Sequence, residues 1–304
     1  MKNVRYLPLL CCLCWGGQAL AESQLDLSHP AAPTVHVEIT NVKGEVTITA
    51  WDRNEVHVGG ELGSGAQPLT IDGSENNLSI KVQAQGHNGW LNWGGDNAMS
   101  DSTLDVNVPR GASVKVNVVS APLSVDGIDG GDIAVNSVSG RVRIHAQTPA
   151  LNVVTVSGNV AFSGHAQRAK LQTVSGDILA PSLGQSVDLQ TVSGRIQANG
   201  GPWQQLSLST VSGDVQLTGG LATGGSMSVD SMSGDVQLQF PASLSSSIHA
   251  STFSGDLRSD FGTPTQPEHG PGSHLETVAG SGDGKISIET FSGDLRIRKS
   301  GSGE

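Results

Sequence analysis

Cysteine is nearly missing from this chain, and its placement matters more than its scarcity. All three cysteines, Cys11, Cys12 and Cys14, lie in the first 14 residues. Everything beyond them carries no thiol, so neither a disulfide framework nor thiol chemistry is open to it. Aromatic residues make up 4% of the chain, and the single tyrosine, Tyr6, sits in the same early stretch. A core without large rings has to be aliphatic and thin. Beyond residue 21 no apolar run approaches the ~20 residues of a membrane-spanning helix. Nor does any stretch place apolar residues at a period of 3.6 between caps, so helices are not expected. Basic residues are short too, with 17 Lys and Arg against 28 Asp and Glu. That balance argues against nucleic acid or an anionic membrane surface as partner, since both need clustered Lys and Arg. Nine histidines are scattered through the chain. His269 and His274 share a loop but lack a third ligand, so neither cofactor nor catalytic metal is expected.

What the chain has in quantity is glycine, 40 residues of it, and one phrase said again and again. The phrase is VDLQTVSGRI at 187–196. It returns as VNSVSGRV, VVTVSGNV, LQTVSGDI, LSTVSGDV, VDSMSGDV, ASTFSGDL and IETFSGDL. Its glycines are Gly140, Gly158, Gly176, Gly194, Gly213, Gly234, Gly255 and Gly293, at steps of 18, 18, 18, 19, 21, 21 and 38 residues. A repeat of this length cannot bury a core of its own, which is the signature of a solenoid. Ordering one 18-residue coil costs on the order of 18–36 kcal/mol of backbone entropy. Five or six buried aliphatics return only about 2 kcal/mol each, so neighbouring coils must supply the rest.

Within a repeat the apolar period is two, which means β-strand. Val187, Leu189 and Thr191 share one parity, while Val192, Gly194 and Ile196 share the other. The parity break predicts a corner between Thr191 and Val192, with both inside and Gly194 where a side chain would crowd the bend. Ser193, Arg195 and Gln197 are then expected outside. The fold class expected is all-β, a single-stranded β-solenoid of about 18–21 residues per turn.

Residues 1–21 read as an export signal, with Lys2 and Arg5 ahead of an apolar run and Ala19-Leu20-Ala21 as a cleavage site. Its removal would leave 15 basic against 28 acidic residues, a net charge of −13. Residues 22–118 read as an N-terminal β region of irregular first coils and a cap. Here Val37, Ile39, Asn41, Val42, Gly44, Val46 and Ile48 form an early copy, and 85–102 a polar loop bearing Trp90 and Trp93. Residues 119–299 read as the regular solenoid, interrupted by an insertion at 260–284 with Pro264, Pro267 and Pro271. A disordered tail follows at 300–304.

The early VKGEVTITAWD, the VPRG at 108–111 and the serial T-V-S-G-D-I phrases resemble a bacterial family of β-strand-repeat proteins labelled "putative adhesins". The resemblance covers nearly the whole chain beyond residue 21. It implies an exported or envelope-associated β-helix, and it brings no catalytic residues with it.

Three groups of residues are candidates for a site. Asp177, Asp214, Asp235, Asp256 and Asp294 follow the repeat glycines, and stacked carboxylates ~5 Å apart could share a divalent cation. The bland alternative is that aspartate favours the turn and is simply solvated, softened by Arg141, Asn159 and Arg195 in the same column. The row also lacks the nonapeptide calcium pattern. Thr155, Thr173, Thr191, Thr210, Thr252 and Thr290 form a hydroxyl row, which would bind ice or crystalline glycan only if it faced outward. The parity turns it inward, where hydroxyls would stack on one another or on backbone groups. Trp90 and Trp93 could stack on a sugar ring, or cover the apolar edge of an open coil.

The reading that follows is an exported, non-catalytic rod that binds or scaffolds in the bacterial cell envelope, in the periplasm rather than at the surface. An unidentified envelope protein or a glycan would be its partner, and coil ends leave self-association open. The alternative is a surface or secreted adhesin recognising glycan. A polysaccharide-active β-helix enzyme is the third reading, but turns this short leave no side loops to wall a cleft.

Overall fold

The computed structural model of the chain describes residues 23–83, 99–267 and 271–301. Its first strands are β1 (Ser23–Pro30), β2 (His36–Trp51), β3 (Glu55–Leu62), β4 (Ile71–Ser74), β5 (Asn77–Lys81), β6 (Ser102–Pro109), β7 (Ser113–Ser120), β8 (Leu123–Asp129) and β9 (Ile133–Ser139). The middle holds β10 (Val142–Ser157), β11 (Val160–Ser175), β12 (Ile178–Leu183), β13 (Ser186–Ser193), β14 (Ile196–Ser212) and β15 (Val215–Ser233). Last come β16 (Val236–Pro241), β17 (Ser246–Ser254), β18 (Leu257–Ser259), β19 (Ser273–Ala279), β20 (Gly284–Ser292) and β21 (Leu295–Ser300). All 21 belong to one hydrogen-bonded sheet. The β-solenoid expected from the repeats is the fold, and among the described residues there is no helix.

Each repeat contributes one rung to each of two arms. In the first arm the rungs run β5, the first half of β2, β7, β9, the second halves of β10 and β11, β13, then the second halves of β14 and β15. The second arm runs β6, the second half of β2, β8, the first halves of β10 and β11, β12, the first halves of β14 and β15, then β16. In the first arm register is kept position for position, so Thr155, Thr173, Thr191 and Thr210 lie one above another. Inward columns such as Val153, Leu171, Leu189 and Leu208 are fully buried. They form the aliphatic core that the shortage of rings demands.

The corner differs from the one expected. Thr191 is inside, 4% exposed, but Val192 is outside, 45% exposed. Strand alternation runs unbroken through Val187, Leu189 and Thr191, which turns Val192 to the other face. The parity break is absorbed three residues later, at Gly194-Arg195 between β13 and β14, and Ile196 returns to the core. The glycine decides the location. A Cβ at Gly158, Gly176, Gly194 or Gly213 would lie 2.0–2.2 Å from the carbonyl oxygen of the glycine one coil before. Only residues without a side chain let the corners of successive coils stack this closely.

The stacking order departs from chain order at the far end. β20 pairs with β15 on one side and β17 on the other, and β21 lies between β16 and β18. The last repeat is therefore slotted beneath the one before it. The residues expected as an insertion, 260–284, include β19, which runs antiparallel along the outer edge of β17. At the opposite end β4 lies antiparallel on β5, and β3 and β1 lie antiparallel beyond β6. Antiparallel strands thus cover both arms at one end of the stack and the first arm at the other, where bare parallel edges would invite further strands.

Candidate functional site

The corner puts two rows side by side, one polar and buried, the other apolar and exposed. The buried row is Asn41, Ser137, Thr155, Thr173, Thr191, Thr210, Ser231, Thr290 and Thr252, all under 7% exposed. Stacking of their hydroxyls on one another or on backbone groups does not occur: none makes a hydrogen bond within the described residues. Rungs ~4.8 Å apart hold successive hydroxyls beyond hydrogen-bond reach. The hydroxyl occupies room left by the glycine: Thr173 Oγ1 and Thr210 Oγ1 each lie 3.2 Å from where a Cβ on Gly176 or Gly213 would be.

The exposed row follows in rung order Val42, Val119, Val138, Val156, Val174, Val192, Val211, Met232, Phe291, Phe253. Nine of them are 41–60% exposed, and Val119 is half-buried. Nine steps of ~4.8 Å make the row about 43 Å long. Apolar side chains scattered singly on a surface need no explanation, whereas a continuous line of ten is a candidate contact surface. At its large end the rings of Phe253 and Phe291 are parallel, with centroids 4.9 Å apart. Rings that close overlap face to face, so neither lies flat on the sheet. Val211, Met232, Phe291 and Phe253 line a groove of about 540 Å³ together with Asp230, Glu289 and His274.

Polar residues flank the row. On the side away from the corner the column includes Asn117 and Asn136 near the valine end and Asp230 and Glu289 near the aromatic end. Asn136 donates to Asn117 Oδ1 at 2.9 Å, and Asn117 donates to Glu38 Oε1 at 3.2 Å. Lys115 Nζ lies 3.0 Å from the same Glu38 oxygen. Its hydrogen bond is the main reason that Glu38 titrates below the usual carboxylate range, with burial acting the other way. The Asp230 carboxylate accepts a hydrogen bond from Ser228 Oγ at 3.2 Å.

The aspartates after the glycines stand on the corner itself, in the stacking order Asp214, Asp235, Asp294, Asp256 at the far end. Their carboxylates cap the next coil. Asp177 Oδ1 accepts the Arg195 backbone N–H at 2.9 Å, Asp214 that of Asp235 at 3.2 Å, Asp235 that of Asp294 at 3.1 Å, and Asp294 that of Asp256 at 3.2 Å. Asn159 does the same for Asp177 at 3.0 Å. Arg296 and Arg258 take the second oxygens of Asp294 and Asp256. Among the described residues no three His, Cys, Asp or Glu gather in a way that could hold a metal ion. Trp90 and Trp93 lie outside the described residues, as does His269; His274 lies in β19.

The exposed row is what the sequence reading missed, and a signal for it was present. The column grows from Val to Met to Phe, while its inward neighbours Leu208, Val229 and Ile288 stay of similar size. A packed interior has no room for such growth, so the column has to face solvent or a partner.

No curated protein matches the chain. Among solved structures it is similar to a "putative adhesin" from Bacteroides fragilis, at 12% identity over 91% of this chain and 98% of that one, with a TM-score of 0.46. A "putative adhesin" from Parabacteroides distasonis is similar at 8% identity, covering 91% and 97%, with a TM-score of 0.45. A "putative lipid binding protein" from the same species is similar at 9%, covering 91% and 98%, with a TM-score of 0.40. None of the three bears on what this chain binds. The profile of the family described as Toastrack DUF4097 matches residues 35–298, from Val35 just ahead of β2 to Arg298 in β21, and the chain belongs to that family.

Proposed function

We propose that this protein is an exported, non-catalytic β-solenoid that serves as a binding or scaffolding rod in the bacterial cell envelope, in the periplasm, with the exposed apolar row as its contact surface. The observation that carries this reading is the row itself: ten apolar side chains in register, left in solvent by a fold that buries nearly all its other aliphatics. Export rests on the signal-like residues 1–21. A glycan-binding alternative rests on Trp90 and Trp93; the stacking of Phe253 on Phe291 takes up one face of each of those rings.

The test joins location to surface. A tagged copy is expected to resist protease on intact cells and to be cut once the outer membrane is permeabilised. The doubly substituted Val174→Asp, Val192→Asp protein is expected to be exported and to melt at the parent temperature, yet to lose the proteins that co-purify with the parent. Unchanged co-purification would remove the row from the role proposed for it.

A further inference from the structure

The apolar row is graded, with seven valines at one end and one methionine and two phenylalanines at the other. That gradient restricts what a matching surface can look like. A partner needs small residues over the Phe end and has room for large ones over the Val end, at the same ~4.8 Å spacing. A second copy of this row, laid down in the opposite direction, has that form. We infer that the row is a self-complementary interface that pairs two copies of this chain antiparallel, face to face, about a two-fold axis between Val174 and Val192. The inference rests on the contact role proposed for the row and names its partner.

In that register Phe253 meets Val42 of the second copy, Phe291 meets Val119, Met232 meets Val138, Val211 meets Val156 and Val192 meets Val174. Every large residue faces a valine. A parallel pairing would set Phe against Phe and Val against Val, and the two copies could not close evenly along the row. The flanking column supports the same direction. A two-fold axis lying in the interface and perpendicular to the rods reverses the rung order but keeps each column facing itself. Glu289 then faces Asn117 and Asp230 faces Asn136. Each of those amides uses one N–H on its neighbour, to Glu38 or to Asn117, which leaves a second N–H for the opposing carboxylate. In the parallel pairing the two acidic pairs would gather at one end of the dimer and repel. The groove beside Phe253, Phe291 and Met232 is where the smaller end of the second row would seat.

The contact strip is about 43 Å long and on the order of 10 Å wide, so the pair buries roughly 900 Å² in total, below the ~1,200 Å² at which stable interfaces begin and in the range of weak, transient ones. The association is therefore expected to depend on concentration. It also leaves the capped ends of the stack free.

Direction can be read by cross-linking, because the chain from Glu22 onward contains no cysteine. Val138→Cys and Met232→Cys are made in separate preparations, both at exposed positions. In the antiparallel pair the thiol of a Val138→Cys copy faces the thiol of a Met232→Cys copy. Two copies of the same variant hold their thiols five rungs, about 24 Å, apart. With a short bismaleimide, the mixture is expected to give a covalent dimer and each variant alone none. Equal cross-linking of each variant alone would overturn the antiparallel register. No cross-linking, with monomer alone in sedimentation at the highest soluble concentration, would overturn pairing itself. In that last case co-purification of other envelope proteins with the parent, lost in the Val174→Asp, Val192→Asp variant, would leave the contact role standing with a different partner.

Discussion

Thr191 and Val192 are adjacent in the chain and recur together in coil after coil, yet they stand on opposite sides of the sheet. The hydroxyl is inside, bonded to nothing within the described residues, and the isopropyl group is in solvent. This inverts the ordinary rule that apolar groups are buried and polar ones exposed. The two positions answer to different constraints. Thr191 lies on the inward parity of its strand and beneath a glycine corner, where a small branched side chain fits. Val192 is on the outward parity, and nothing inside the coil requires it to be apolar. Its regular return therefore points away from the fold and toward something outside it.

The sharpest way to break this comparison is to place a carboxylate on each side. Leu189→Asp would bury an unpaired charge in the core and is expected to cost above ~4 kcal/mol, a large part of a domain's whole stability. Val192→Asp, three residues on, is expected to change stability by less than ~0.5 kcal/mol and to melt with Gln197→Asp, another exposed position. Thermal melts of the three variants decide the matter: cooperative unfolding of Val192→Asp at a lowered temperature would return that residue to the core.

A second comparison is between the middle of the stack and its far end. In chain order the repeat at 285–299 is the last and should fray, so damage there would be mild. In the structure it is enclosed between two other coils. Ile288→Asp is accordingly expected to cost as much as Leu189→Asp, above ~4 kcal/mol, and to release both β17 and β20 to hydrogen exchange. Protection of β17 persisting in that variant would show that β17 docks on β15 directly, in chain order.

The smallest effect belongs to the buried hydroxyl. Thr191→Val keeps the shape and removes a polar atom with no partner, so stability is expected to hold or rise by up to ~1 kcal/mol in denaturant titration. A loss of that size instead would mean that the hydroxyl is satisfied in solution and that the inner row is polar for a reason.

Much of this molecule was legible in its letters. The period of two gave strands, the return of the phrase every 18–21 residues gave a solenoid, and the shortage of rings gave an aliphatic core. The candidate surface was less so. Parity showed that the strand phase breaks somewhere between Thr191 and Ile196, five residues apart, but any step in that interval satisfies the count. Choosing the first step put Val192 inside and hid the row. The aspartates were found as a column, yet their work, four of the five capping a backbone N–H of the next coil, depends on which coil comes next.

The sequence by itself determined the strands, the repeat length and the glycine at each corner, because these follow from side-chain period and from the room that a Cβ would take. Tertiary structure alone decided three things: where in the corner the chain turns, that the last repeat slides beneath its predecessor, and that ten apolar side chains line up in solvent. Each depends on close approach between coils far apart in the chain. The stacked glycine carbonyls leave one place for the turn, and the hydrogen bonds of β15 and β17 are completed by whichever strand lies between them.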